Sequence, residues 1–402
     1  MVEEMKKNET NKGEKLFLPA LFSSRFTTAP PRTLISLLLI EIGITFGLQV
    51  GIVGQISAVN SLVMLIASFI VSLLSVKYNH TKLLTIGLIL QALSAITCSF
   101  STSFFNLIIF FSLNGIGAAL ITPMTLSITA EHLQGQKRAN AIGWLIISTS
   151  VANIIGNLAI NHLAGLSDWR LPFLAFLLPI NLVSLVLVSM GIPKKIDENK
   201  DSGKTRLLDG YKEIFDSKSS IACLIGTIFS SSSIGGFLVY QASFFRQRHL
   251  ISVDLAALML VGNAICVALG SRTAGRLMKR FESRLLWTIA MIFSGLSILS
   301  SFTFPNLWAA MVLAWLVNFF MGIAFMSANS LTLDQIPGFR GTIMSLFTAA
   351  NSMGSTIGAS LGGIILLRYN YGFLGVLLGL ITLLAALTVY LWAHSPTSST
   401  HP

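Results

Sequence analysis

The feature that most limits what this chain can become is a succession of apolar runs, each about the length at which a helix rising ~1.5 Å per residue crosses the hydrocarbon of a bilayer. Bounded by charges, proline or glycine, six runs fall near residues 16–40, 53–76, 83–101, 104–128, 141–163 and 171–192. Six more fall near 220–243, 254–276, 285–303, 306–332, 343–367 and 372–393, after a polar stretch at 193–219. In lipid a backbone must satisfy its own hydrogen bonds, so such runs read as helices. The expected fold is an all-α membrane protein of about 12 transmembrane helices, with short polar tails at 1–15 and 394–402. At 53% apolar and 11% charged residues the chain has little left from which to build a soluble domain.

The excess of 27 Lys+Arg over 16 Asp+Glu does not point to nucleic acid, because the basic residues sit in short turns without exposed aromatics beside them. With twelve spans, 21 of the 27 fall in the tails and in alternate connections on one side. Basic residues gather on the cytoplasmic side, which places both termini and the 193–219 loop in the cytoplasm of a multi-pass protein of the inner or plasma membrane. Part of that loop, Leu207–Phe215, has the pattern of a short amphipathic helix. No cleaved signal peptide is expected, since Arg25, Pro30, Pro31 and Arg32 interrupt the first apolar stretch where a small-residue cleavage site would stand.

Cys98, Cys223 and Cys266 stand alone in separate runs, and the six histidines show no ligand spacing, so neither a disulfide framework nor a metal site is expected. Ser202–Thr205 has the end of a phosphate loop, but Glu198 occupies the place of its first glycine. No nucleophile and base are arranged for catalysis. We expect no catalytic residues, no cofactor, and a protein that is not an enzyme.

The chain also repeats itself. A shift of 203 residues lays Leu74, Lys77, Tyr78, Leu83 and Ile86 on Leu277, Arg280, Phe281, Leu286 and Ile289, and Thr129, Glu131, Leu133, Gly135 and Lys137 on Thr332, Asp334, Ile336, Gly338 and Arg340. Two segments agreeing on one offset indicate duplication. Each half then carries an even number of spans, so 16–192 and 220–393 are expected to be two parallel six-helix repeats.

These loops resemble those of the major facilitator superfamily. The family signature G-x-L-a-D-R-x-G-r-r-x-L has a degenerate counterpart from Ser72 to Leu83 and a clearer one from Gly275 to Leu286, with Val76 and Lys279 replacing its acid. The stretch from Gly115 through Pro123 to Glu131 and on to Gly143 is similar to the family's fourth span and following loop, with Phe111 where an arginine is usual. Trp169-Arg170 before Pro172-Phe173 resembles the outer turn of bacterial efflux permeases. The resemblance implies a transporter of a small-molecule substrate, efflux being the preferred direction.

Candidate site residues follow from the cost of polar groups in lipid, which makes them face the bundle or a wet cavity. Arg25 lies within the first span beside a proline break, where freed backbone groups need protein or water. Span 5 carries Thr149, Asn153, Asn157 and Asn161 four apart, a polar stripe that favours a cavity over packing. Asn114, Ser231 in the Ser230–Ser233 run, Tyr240 and Asn318 complete the expected lining. At cytoplasmic span ends, Lys77, Glu131, Arg280, Arg284, Asp334 and Arg340 are candidates for a gate, with Lys77 expected near Glu131 and Arg280 or Arg284 near Asp334. Headgroup anchoring is the alternative for each.

The expected function is therefore a secondary active transporter working by alternating access. Its partners would be the substrate, the bilayer and, as one option, a coupling proton, with no nucleic acid and a monomeric state. A lipid-handling or scaffold protein on the same fold is the alternative.

Overall fold

In the computed structural model, residues 16–192, 212–336 and 339–394 are described. Among them all regular structure is helical. Eleven helices are long and apolar enough to cross a membrane, or 12 if one bent pair counts as a single span. Residues 193–211, which hold most of the expected loop at 193–219 and most of the Leu207–Phe215 helix, lie outside the described residues, although residues 212–216 are helical and Ile214 is fully buried.

Spans 2 to 6 are Val50–Ser72, His80–Ser99, Phe104–His132, Gly135–Leu166 and Phe173–Gly191. Spans 7 to 12 are Lys218–Arg248, Val253–Leu277, Ser283–Thr303, Leu307–Gln335, Arg340–Arg368 and Tyr371–Trp392. Many starts are fixed by a polar side chain just ahead of an apolar run. Asn79, Ser103, Ser217, Ser252, Asn306 and Asn370 each accept a hydrogen bond from a backbone N–H of the first turn, which would otherwise lack an acceptor. Spans 4 and 10 both have 29 residues, and their starts and ends stand at the offset at which the sequence repeats. Along span 12, Leu380, Leu384, Leu387 and Leu391 share one face and are each about half exposed, as a lipid-facing surface requires.

Span 1 differs from its expected form. Residues 16–26 are helical, Thr27 to Ala29 leave the helix, and Pro30–Leu37 resumes it. A 60° bend then leads into Leu39–Phe46. The prolines do not break the helix; they open one, in positions whose N–H has no helical acceptor to lose. The Thr28 hydroxyl donates to Arg25 O at 2.8 Å, and the Thr27 hydroxyl lies 2.9 Å from Ser24 O, so the two threonines cap carbonyls of the interrupted turn. Span 1 ends at Gly47, whose φ of 65° is the left-handed conformation that glycine adopts without strain. Span 6 opens with a π-helical turn, Phe173–Leu177.

The chain divides into two compact units, Met1–Leu48 with Leu62–Lys200, and Gln49–Ser61 with Asp201–Pro402. The first turns of span 2 thus belong with the second unit: Gln55 Nε2 donates to Ser360 O at 3.3 Å. Each unit has its own apolar core. Leu21, Leu84, Leu88, Ile121 and Ile128 centre the first, and Cys223, Trp287, Met291, Ile343 and Val389 the second.

Candidate functional site

In the first unit the polar groups gather on spans 1 and 5. Arg25 is partly buried at the last turn before the break, and its Nη1 is enclosed without a hydrogen-bond partner. Arg32 follows seven residues later, and its Nη2 lies 2.8 Å from Met64 Sδ, a weak acceptor. Among the described residues neither arginine is paired with a carboxylate. The Thr33 hydroxyl donates to Asn153 Oδ1 at 3.2 Å, and Asn157 Nδ2 donates back to Asn153 O at 2.8 Å, leaving Asn157 Oδ1 buried and unpartnered.

Asn114 stands elsewhere in this unit. It borders a narrow cavity with Pro31, Gln91, Ser94, Phe173 and Asn181, where span 1 is re-formed by proline and span 6 is widened by its π turn. Gln91 Oε1 lies 2.7 Å from the Thr27 hydroxyl while Gln91 Nε2 lacks a partner. With the amide turned over, Nε2 donates to Thr27 and the Thr27 proton goes to Ser24 O, and the Gln91 atom left without a partner is then Oε1. Gln91 and Asn181 were not anticipated, although each shows the signal that marked Asn114, an amide inside an apolar run.

In the second unit the Ser231 hydroxyl donates to Asn351 Oδ1. Tyr240 is fully enclosed, so it does not line open space in this state: its hydroxyl donates to Ala359 O at 2.8 Å. Glycines permit this. A Cβ on Gly54 would overlap the Tyr240 ring and hydroxyl, and one on Gly362 would stand 2.5 Å from the ring. Asn318 is likewise buried, and its Nδ2 donates to Ala314 O at 2.8 Å in its own helix.

Of the expected gate pairs, neither Arg280 nor Arg284 pairs with Asp334 among the described residues. Glu131 Oε1 meets His80 Nδ1 at 2.7 Å, and the His80 Nε2 lies 3.2 Å from Ser75 O. His80, at the first turn of span 3, therefore engages Glu131; the side chain of Lys77 lies outside what the structure describes, as does that of Arg340. Arg284 does not reach Asp334. Its Nη2 donates to Tyr390 O and its guanidinium lies 5.5 Å from the Tyr390 ring centroid. Tyr390 is in the last turn of span 12, where carbonyls lack helical donors and the helix dipole favours a cation. Arg280 and Asp334 are exposed and form no ion pair among the described residues.

The Trp169-Arg170 turn is a built corner. Trp169 Nε1 donates to Thr45 Oγ1 at 2.9 Å, and Arg170 lies 4.4 Å over the indole while bonding Asp168 and Ser101 O. Among the described residues no three His, Cys, Asp or Glu gather as metal ligands would.

A family model described as Major Facilitator Superfamily matches residues 21–250 and 223–402. An uncharacterized MFS-type transporter, YceJ of Bacillus subtilis (strain 168), is 25% identical over 348 residues, 85% of this chain and 87% of the relative. Multidrug resistance protein D of Escherichia coli (strain K12) is 25% identical over 334 residues, 82% of each chain. The crystal structure of a bacterial homolog to the human lysosomal transporter Spinster, inward-facing and occupied, superimposes with a TM-score of 0.78 at 19% identity, covering 93% of this chain and 95% of that one. The chain is a multi-pass membrane protein belonging to the Major Facilitator Superfamily of transporters.

Proposed function

We propose that the protein is a secondary active transporter that moves a small molecule across the cytoplasmic membrane by alternating access, in the direction of efflux, with both termini in the cytoplasm. The observation that carries this reading is Arg25, a cation in the first span with an enclosed, unpartnered Nη1 and no carboxylate beside it. Such a residue is expensive in a membrane, and among the described residues of the first unit no carboxylate pairs with its charge. Asn153 and Asn157 on the neighbouring helix add amide groups, one of them with a buried free acceptor. We place substrate contact at these three residues. Efflux is supported by the kinship with a multidrug resistance protein.

No phosphate loop supplies ATP chemistry, so the driving force is an ion gradient or the substrate's own. Reconstituted vesicles offered a metabolite and drug panel, with a pH gradient imposed or collapsed, test the reading. We expect saturable flux of at least one compound, reduced tenfold or more by Arg25→Met with membrane insertion intact, and partly restored by Arg25→Lys, which keeps the charge without the planar fork. Flux unchanged in Arg25→Met, or absent for every compound, overturns it.

A further inference from the structure

Spans 3, 4 and 6 of the first unit bring three side-chain amides to one narrow cavity. Gln91, Asn114 and Asn181 all line it, and none is more than 3% exposed. Close packing of spans 3 and 4 makes this possible. A Cβ on Gly117, one turn along span 4 from Asn114, would stand 2.6 Å from Gln91 Cγ, so the glycine leaves the room that the Gln91 stem fills. The Ser94 hydroxyl, also in the cavity wall, donates to Phe110 O at 2.8 Å and ties the two spans one turn before Asn114. Span 6 supplies Asn181, whose Nδ2 donates at 2.8 Å to the carbonyl of Leu177, the last residue of the π turn.

In each of the three amides the oxygen is the atom left without a partner. Asn114 Oδ1 and Asn181 Oδ1 are enclosed with no donor, and the bond to Leu177 O fixes the Asn181 orientation because only Nδ2 can meet a carbonyl. The Gln91 orientation follows from Thr27, which has one proton and two groups in reach, Ser24 O at 2.9 Å and the Gln91 amide at 2.7 Å. Nε2 therefore faces Thr27, and Oε1 is the bare atom. Ser94 gives its proton to Phe110 O and keeps its lone pairs. Bare buried oxygens are costly, and neutral hard oxygens suit alkali or alkaline-earth ions, not zinc or copper. The wall holds no carboxylate among the described residues, so a divalent ion would stay uncompensated and a single charge fits. The space does not admit a water molecule, which also excludes ammonium and potassium, both about as large, and leaves sodium. Arg25 and Arg32 on span 1 weaken such a site by repulsion, so the ion is held loosely enough to leave.

We propose that Gln91, Asn114 and Asn181 hold a sodium ion, with Ser94 Oγ as a further ligand, and that this ion drives transport. The second half rests on the reading of the chain as a secondary transporter and names the ion gradient which that reading leaves open. The contact between Gln91 and Thr27 carries the link. Thr27 stands in the interruption of span 1, two residues after Arg25, so an ion that fixes Gln91 Oε1 also fixes the joint next to Arg25.

The test titrates the purified full-length protein in detergent with sodium chloride, replacing choline chloride at constant ionic strength, with potassium chloride as the comparison. Sodium should raise the unfolding midpoint in a saturable manner, and potassium and choline should not. Asn114→Leu and Asn181→Leu nearly keep the volume and remove the oxygens. Each should weaken the sodium response tenfold or more, yet unfold no earlier than the parent in choline, because a bare polar group is gone. Amides that only pack the helices would give the opposite, earlier unfolding with the sodium response intact. An equal response to potassium, or none to sodium, overturns the site. In proteoliposomes an imposed sodium gradient should speed the flux of a transported compound, and Asn181→Leu should remove that acceleration. Flux indifferent to the sodium gradient overturns the coupling and leaves the transporter reading standing. If no compound crosses, that reading fails, and the sodium titration still decides the site.

Discussion

Spans 1 and 5 hold the same place in the first repeat that spans 7 and 11 hold in the second, yet the two pairs are joined by different physics. The second pair meets backbone to backbone. A Cβ on Gly358 would overlap Ser232 O, one on Gly354 would overlap Ile228 O, and one on Gly235 would stand 2.8 Å from Ser355 Cα. The first pair meets through side chains. Pro30 faces Gly156, where a Cβ would stand at 3.3 Å, and Thr33 bonds Asn153 while Ser148 bonds Phe22 O. At the 203-residue offset the asparagines 153 and 157 correspond to Thr356 and Ser360. Small residues buy closeness in one pair; polar ones hold the other apart and leave groups unpaired. Arg25, which no described carboxylate pairs, lies on the looser pair.

The sharpest way to break this comparison is to place one methyl group in each pair. Gly358→Ala forces two helix backbones apart and should cost about 3 kcal/mol or more, since overpacking against main chain has no flexible neighbour to yield. Gly156→Ala meets only the Pro30 ring and should cost below about 1 kcal/mol. Unfolding midpoints and the monodisperse fraction on gel filtration measure both. Equal losses would show that the two pairs are equally close-packed.

Much of this architecture was legible because its causes are local. Lipid demands long apolar helices, and a duplicated chain repeats its loop residues at one spacing, so the spans and the kinship of halves could be read from residue types alone. Arg25 was legible for the same reason, as a charge where charge is costly. What could not be read depends on which of several chemically suitable neighbours lies closest. Glu131 had Lys77 and His80 within one loop, and it is the placement of the span 3 start that brings His80 to it. Arg284 had Asp334 in sequence logic and the end of span 12 in space. The bend of span 1 at Leu38 carries no proline or glycine to announce it.

A smaller effect tests whether the first pair is held by its polar contact or merely decorated by it. In a double-mutant cycle, Thr33→Val and Asn153→Ala should couple by roughly 0.6 kcal/mol, the usual size of a hydrogen bond between membrane helices. The matching cycle across spans 7 and 11, Ser231→Ala with Asn351→Ala, should give a comparable coupling on top of a much larger packing term. A coupling indistinguishable from zero in the first pair would assign its cohesion to the Pro30 and Gly156 contact alone.

The smallest effect concerns the far ends of the same helices. Span 1 ends at Phe46, whose ring lies 5.9 Å from Trp169 and 6.1 Å from Phe104. Its counterpart at the repeat offset is His249, which lies 5.5 Å from Phe244 and 5.6 Å from Phe245, just past the end of span 7. Burial of the imidazole, aided by the charge of Arg248, holds the His249 pKa below its ordinary 6.5. The folded protein therefore keeps this ring neutral in a range where the unfolded chain binds a proton. Linkage gives the sign: stability from this residue is complete above about pH 6.5 and declines as pH falls from there through the lower folded value. The unfolding midpoint should drop between about pH 7 and pH 5, and His249→Phe, which installs the residue found at the end of span 1, should flatten part of that drop. The Phe46 corner carries no such proton, so Phe46→Leu should shift the curve without changing its slope. A His249→Phe protein with the parent's full pH dependence would show that the two aromatic corners are electrostatically alike and that the slope arises elsewhere.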